Sequence, residues 1–365
     1  MKKTIFASLS SLLLLAGCAS QDPGKTFELT GNPIVTDNFT ADPAPMVHDG
    51  TLYLYVGHDE YYDGQDTASG GKEFNITEWL CYSTKDMKTW TDHGSVLKPT
   101  DFSWGVGEAW ASQVVENNGK YYFYTTAQAG EPYTGKAVGV AVSDSPFGPF
   151  TDPIGKPLIS DKMTPNGARG WWNDIDPTVL VDDDGTPWMS WGNGTCFIVK
   201  LKPNMIELDG PIEILRMPGF IEGPWLHKHG NLYYLTYASM GRGGETISYA
   251  TAPSMEGPWT YRGPLTGPAE NSFTIHPGIA EFKGQSYLFY HNATLTIDGI
   301  GGATGRRSVC VDYLYYLPDG RMAYVEQTKA GITVPPKTAA QAALIQNPSE
   351  TEEVLVEKVG LDGMR

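Results

Sequence analysis

Residues Asp176–Gly192 read DPTVLVDDDGTPWMSWG. Thr178 to Val181 is a short apolar, β-branched run. Asp182-Asp183-Asp184-Gly185 is a turn that stops it, and a Trp-containing run follows. Pattern and turn chemistry together describe a β-hairpin. The same pattern recurs along the chain. DPAPMVHDGTLYLYVG starts at Asp42, WASQVVENNGKYYFYTT at Trp110, EGPWLHKHGNLYYLTYA at Glu222 and HPGIAEFKGQSYLFYHN at His276. The starts lie 46 to 68 residues apart, a spread that loops of unequal length account for.

A weaker hairpin follows each of these, over residues 80–96, 138–158, 196–215, 247–265 and 308–325. Several carry Lys-Asp, Gly-Pro or Pro-Asp-Gly turns. The unit is therefore four strands and it occurs five times, with no long helical periodicity. That predicts an all-β fold, a five-bladed β-propeller with four antiparallel strands per blade. A sandwich of this length would not predict five equivalent hairpins. In a propeller the first strand of each blade lines the central channel. The five starting residues, Asp42, Trp110, Asp176, Glu222 and His276, should then form a ring at one mouth. Asp174 shares a face with Asp176 on an extended chain. It is expected one step further out, in a loop or at the rim.

The 365-residue chain has a net charge of -16, 10 Trp and 20 Tyr. Such acidity argues against nucleic acid, whose phosphates attract basic surfaces. A neutral ligand fits, and aromatic faces suit sugar rings. For any single aromatic, β-core packing is the commoner use. Lys2, Lys3 and the apolar run from Ile5 to Ala16 read as a signal peptide. It ends in Leu15-Ala16-Gly17-Cys18, which resembles a bacterial lipoprotein cleavage box. The expectation is lipidation at Cys18, a tether over 19–30 and a lipid-anchored place in the cell envelope. The alternative is an ordinary secretory peptide with an incidental Cys. Cys81, Cys196 and Cys310 match no zinc spacing and read as small core residues.

Two carboxyls across a pocket suit glycosidic hydrolysis, one protonating the leaving oxygen and the other activating water. A third carboxylate raises the acid's pKa by like-charge repulsion. Three acids and a His could instead hold a metal. Surface-loop acids are the other alternative, disfavoured by the shared repeat position.

Seven segments resemble glycoside hydrolase family 43 in order: ADPAP at Ala41, GHDE at Gly57, the segments starting at Trp110 and Glu222, IDPTVLVDDDG at Ile175, HPGIAEFKGQSYLFYH at His276 and GRRSVCVDYLYYLPDG at Gly305. The resemblance covers residues 31–328. It implies a monomeric propeller acting on neutral plant polysaccharide, with Asp42 as general base, Glu222 as general acid and Asp176 as the residue tuning the acid. Inversion would follow, with base and acid about 6.5–9.5 Å apart. His276 matches a channel histidine that helps hold a calcium ion, mostly with water. One of Arg306 and Arg307 should bind the sugar. They point to opposite faces of a strand, and Arg307 is preferred. Trp104, Trp110, Trp171, Trp172 and Phe273 are candidates for stacking on the sugar. The motifs look closest to α-L-arabinofuranosidases, with β-xylosidase or endo-arabinanase next and a non-catalytic glycan-binding lipoprotein as a reading of another class. The insert over 61–77 could wall the pocket and favour exo action. GHDE has no assigned role beyond structure. Residues 329–365 are expected to pack on the propeller.

Overall fold

The computed structural model describes residues 24–164, 169–241, 243–345, 347 and 352–364. The expected signal peptide, Cys18 and the first part of the tether lie outside the described residues.

The chain folds as a five-bladed propeller. In the first blade, β1 (Lys25–Glu28) is the outer edge of a sheet whose inner strands are β2 (Phe39–His48), β3 (Thr51–Asp59), β4 (Ile76–Thr84) and β5 (Thr89–Leu97). The second contains β6 (Gly105–Gly107), β7 (Ser112–Asn117), β8 (Lys120–Ala129) and β9 (Lys136–Ser143). The third contains β10 (Thr178–Val181), β11 (Pro187–Trp191), β12 (Cys196–Lys200) and β13 (Glu213–Leu215). The fourth contains β14 (Phe220–His229), β15 (Leu232–Gly241), β16 (Gly244–Ala252) and β17 (Thr260–Thr266). The fifth contains β18 (Gly278–Phe282), β19 (Gln285–Asn292) and β22 (Ser308–Leu314), with a small hairpin of β20 (Thr296–Ile297) and β21 (Ile300–Gly301) between them. From the tail, β23 (Val354–Leu355) pairs with β17 and β24 (Lys358–Gly360) with β13.

The strand count per blade therefore departs from a uniform four. Blades two and five reduce the outer strand to isolated bridges, such as Val138 to Ile159 and Tyr316 to Met322. Blades one, three and four gain a fifth strand from the chain ends. Residues 25–28, expected within a tether, are one of these edge strands.

Apolar faces are buried between adjacent blades. Tyr55 and Phe123 meet edge to face at 5.6 Å between blades one and two, and Trp188 and Tyr237 share a cluster between blades three and four. Cys81, Cys196 and Cys310 are free and buried. The ring closes between blades five and one through backbone bonds, with the Ile34 N–H donating to Val309 O (2.8 Å) and the Thr40 N–H to Arg307 O (2.9 Å).

Three of the unit starts carry a backbone irregularity. Asp42 and Asp176 adopt left-handed backbone, with φ of 53° and 61°, and each precedes a proline. β2 slips register between Ala41 and Ala44, and β14 slips on both sides of Glu222. A bulge of this kind re-aims a side chain at a strand end. Here the slips fall at Asp42 and Glu222, both of which line the channel mouth.

Candidate active site

The five unit-starting residues all line one cavity of 720 Å³: Asp42, Trp110, Asp176, Glu222 and His276, each from a different blade. The rotational equivalence expected from the repeats thus becomes a physical ring. Trp172, Phe273 and Arg307 line the same cavity.

Asp42 is buried, and its Oδ1 accepts a hydrogen bond from Arg307 Nη1 at 2.9 Å. Burial works against the carboxylate, but the Arg307 guanidinium together with His291 and His276 outweighs it and holds the group well below the usual range. Among the described residues none bonds Asp42 Oδ2, which is left for water. Arg307 is itself gripped by Asp59. Nε donates to Oδ2 and Nη2 to Oδ1, both at 2.9 Å, and the backbone N–H of Arg307 donates to Oδ2 as well. Asp59, the second residue after Gly57 in the GHDE motif, is therefore the bidentate partner that aims Arg307.

Asp176 receives the Gly223 N–H on Oδ2 at 2.9 Å, which ties it to the backbone that carries Glu222. Burial, then the charges of Glu222 and Asp42, push its pKa well up. Glu222 accepts from Asn193 Nδ2 at 3.1 Å. Burial, with the Asp42 charge behind it, pushes its carboxyl up to about 7. The site therefore holds one carboxylate that stays ionised, Asp42, facing carboxyls that keep their protons to neutrality or above, Glu222 among them. Such divergence is how two chemically alike groups take opposite proton-transfer roles.

Two further buried groups escaped the sequence reading. Glu245 lines the cavity, and burial together with Glu222 pushes it up to about 9. His291 sits at the end of β19. Its Nε2 is 3.0 Å from the Thr274 carbonyl, so that nitrogen carries the proton, and Nδ1 accepts the Asp42 N–H at 3.3 Å. The signal that could have found His291 is register. It stands across the fifth hairpin from His276, two residues beyond the Gly278–Phe289 pair on each strand.

Four expected residues lie outside the cavity. Trp104 does not line the cavity; it is buried in the core, packed against Phe102 at 5.0 Å. Arg306 points away from the cavity, since neighbours on an extended chain face opposite sides. It donates to Gln65 Oε1 (2.5 Å), Asp66 Oδ1 (2.7 Å) and Gly301 O (2.9 Å), fastening the insert that carries the short helix α1 (Gln65–Ser69). Neither is in position to bind sugar. Trp171 lies outside the cavity and rests edge-on against Trp172. Asp174 is buried, accepting from Thr164 Oγ1 and Trp191 Nε1, and so anchors the approach to β10 rather than the rim. The fastened insert does form a wall, through Lys72 and Phe74.

His276 lies 4.0 Å from Asp176 Oδ2, and burial lowers its imidazole to about 4. The neutral ring offers a lone pair. Calcium, however, takes six to eight oxygens. Among the described residues the one grouping of three His or carboxylate donors is His58, Glu60 and Glu78, and none of these lines the cavity. The residues fit an ion held by His276 with water as its remaining ligands, not a protein-built cage.

The chain is 30% identical over 390 residues to an arabinoxylan arabinofuranohydrolase of Bacillus subtilis, covering 91% of this chain and 73% of that one. It is 31% identical to a xylosidase/arabinosidase of Bacteroides ovatus, over 80% of this chain and 97% of the other. Among solved structures, an α-L-arabinofuranosidase from Clostridium thermocellum is 35% identical with a TM-score of 0.66, over 83% and 98% of the two chains. The family model described as glycosyl hydrolases family 43 matches residues 30–322. With the propeller and its ring of carboxyls, this match shows that the chain belongs to glycoside hydrolase family 43.

Proposed function

We propose that the protein is an inverting α-L-arabinofuranosidase acting on plant arabinoxylan or arabinan. The observation that carries the reading is the split in the ring, with Asp42 held ionised by Arg307 and Glu222 kept protonated to about 7. Water bonded to Asp42 attacks the anomeric carbon and gives its proton to that carboxylate. Glu222 passes its proton to the glycosidic oxygen as the carbon–oxygen bond breaks, and the sugar leaves with inverted configuration. The ion pair guarantees a charged base at some loss of basicity. Asp176 tunes and places the acid through Gly223. Arg307 also lines the cavity, where its guanidinium can meet a sugar hydroxyl. Trp110, Trp172 and Phe273 offer aromatic surface to the ring.

Arabinose is preferred because both the Bacillus subtilis relative and the Clostridium thermocellum structure carry that activity in their names. A β-xylosidase is the second reading, favoured by relatives named for both sugars. The test is product release from 4-nitrophenyl α-L-arabinofuranoside, 4-nitrophenyl β-D-xyloside, linear arabinan and arabinoxylan. Free arabinose from the first and last is expected. Xylose as the main product would replace the substrate and keep the mechanism. No turnover on any of them would remove the hydrolase reading.

We also propose that His276, with water, would hold a calcium ion, which would supply positive charge to the ring. Thorough chelation is then expected to lower the melting temperature by a few degrees and to be reversed by added calcium. Unchanged melting after chelation would leave His276 as a polar packing residue.

A further inference from the structure

Behind the cavity wall, Lys136 opens β9 with its side chain only 1% exposed. Its ammonium donates to the Glu108 carboxylate and, at 2.8 Å, to Gln128 Oε1. Trp110 Nε1 donates to the same Glu108 oxygen at 2.8 Å. The ammonium also lies 4.4 Å from the Trp172 ring centroid, 5.3 Å from Trp110 and 5.7 Å from Trp171. A cation buried among aromatic faces is held more strongly than one in water. Yet burial also disfavours the charged amine and lowers its pKa. An apolar side chain would fill this place without that cost, so the charge calls for a reason.

The reason follows from where Trp172 stands. It belongs to the single turn Gly170–Trp172, outside every sheet, so no ladder fixes its ring. It rests edge-on against Trp110 at 5.2 Å, and Lys136 lies over it. A second observation places the turn on the same spot. Gly135 is left-handed at φ 79°, and a Cβ there would lie 2.2 Å from the Trp171 carbonyl oxygen. The turn's backbone therefore lies directly on Gly135.

We propose that Gly135 and Lys136 form a dock that positions Trp110 and Trp172 as the sugar-facing wall, making Lys136 a positioning residue for substrate selection. This rests on the glycosidase reading above. Lys136 does not line the cavity and takes no part in bond cleavage.

The test compares Lys136→Met, Lys136→Arg and wild type on the aryl glycoside that wild type cleaves best, with tryptophan emission read without substrate. Lys136→Met is expected to raise KM roughly tenfold, the scale of one lost cation–π contact, with kcat kept within about threefold. Its emission should shift to the red as Trp172 loosens, and Lys136→Arg should restore most of both. An unchanged KM in a folded Lys136→Met protein overturns the proposal. So does a matched fall in kcat and stability that arginine does not rescue. Should Lys136→Met fail to fold, Gly135→Ala carries the test: a raised KM supports the dock and an unaltered one overturns it. Wild type inactive on every glycoside would sink the glycosidase reading instead, while the emission shift would still report on the dock.

Discussion

Glu222→Gln should lower turnover by about 10²–10⁴, the usual contribution of a positioned general acid, with the fold intact. Asp42→Asn should do the same by removing the base. The pH profile separates the two. Burial lifts the Glu222 carboxyl from 4.5 to about 7, so wild-type kcat/KM is expected to fall as pH rises through about 7 and the acid loses its proton. The residual rate of Glu222→Gln should lack that limb, while Asp42→Asn should keep it, moved to lower pH because the Asp42 charge helps raise the Glu222 carboxyl. Stability gives an independent check of sign. A carboxyl whose pKa is raised on folding stabilises the fold most below its unfolded value, and that contribution is lost as pH rises through the folded one. Glutamine carries no such dependence, so Glu222→Gln should melt at or above wild type at pH 8. Near-wild-type turnover in either variant would remove that residue from the mechanism.

Asp59→Ala should damage both stability and turnover, although Asp59 does not line the cavity. It would strand the buried Arg307 guanidinium with only Asp42 as a charged partner. Breaking a buried pair from one side costs about 3–5 kcal/mol. Denaturant unfolding should show that loss. Turnover should fall at least about tenfold, because Arg307 no longer has a fixed direction toward Asp42. Unchanged stability and rate would mean that Arg307 is held by its other contacts, the Asp42 carboxylate at 2.9 Å and the Phe74 ring 4.8 Å away.

The fold was legible because the repeat period and the blade rotation are the same fact stated twice. Once five hairpins are aligned, Asp42, Trp110, Asp176, Glu222 and His276 must meet. What the repeat does not encode is the far partner of each ring residue. Asp59 and His291 sit at the ends of second strands, and Glu245 near the start of a third, positions with no motif of their own. Trp104 misled for a related reason: proximity in sequence to a ring residue does not tell core from cavity. Arg306 and Arg307 were separable in principle by strand alternation, and Arg307 does face inward. The edge strands β1, β23 and β24 were unreadable, since two to four residues are too few to show a period.

The left-handed backbone at Asp42 and Asp176 restricts which descendants this ring can have. Few side chains tolerate that conformation; glycine, asparagine and aspartate do so most easily. An alanine there would add about 1–2 kcal/mol of backbone strain to the lost carboxylate. Asparagine keeps both the shape and the turn. The smoothest evolutionary route from this hydrolase to a sugar-binding lectin therefore runs through a single Asp-to-Asn exchange at either position, with the pocket otherwise preserved.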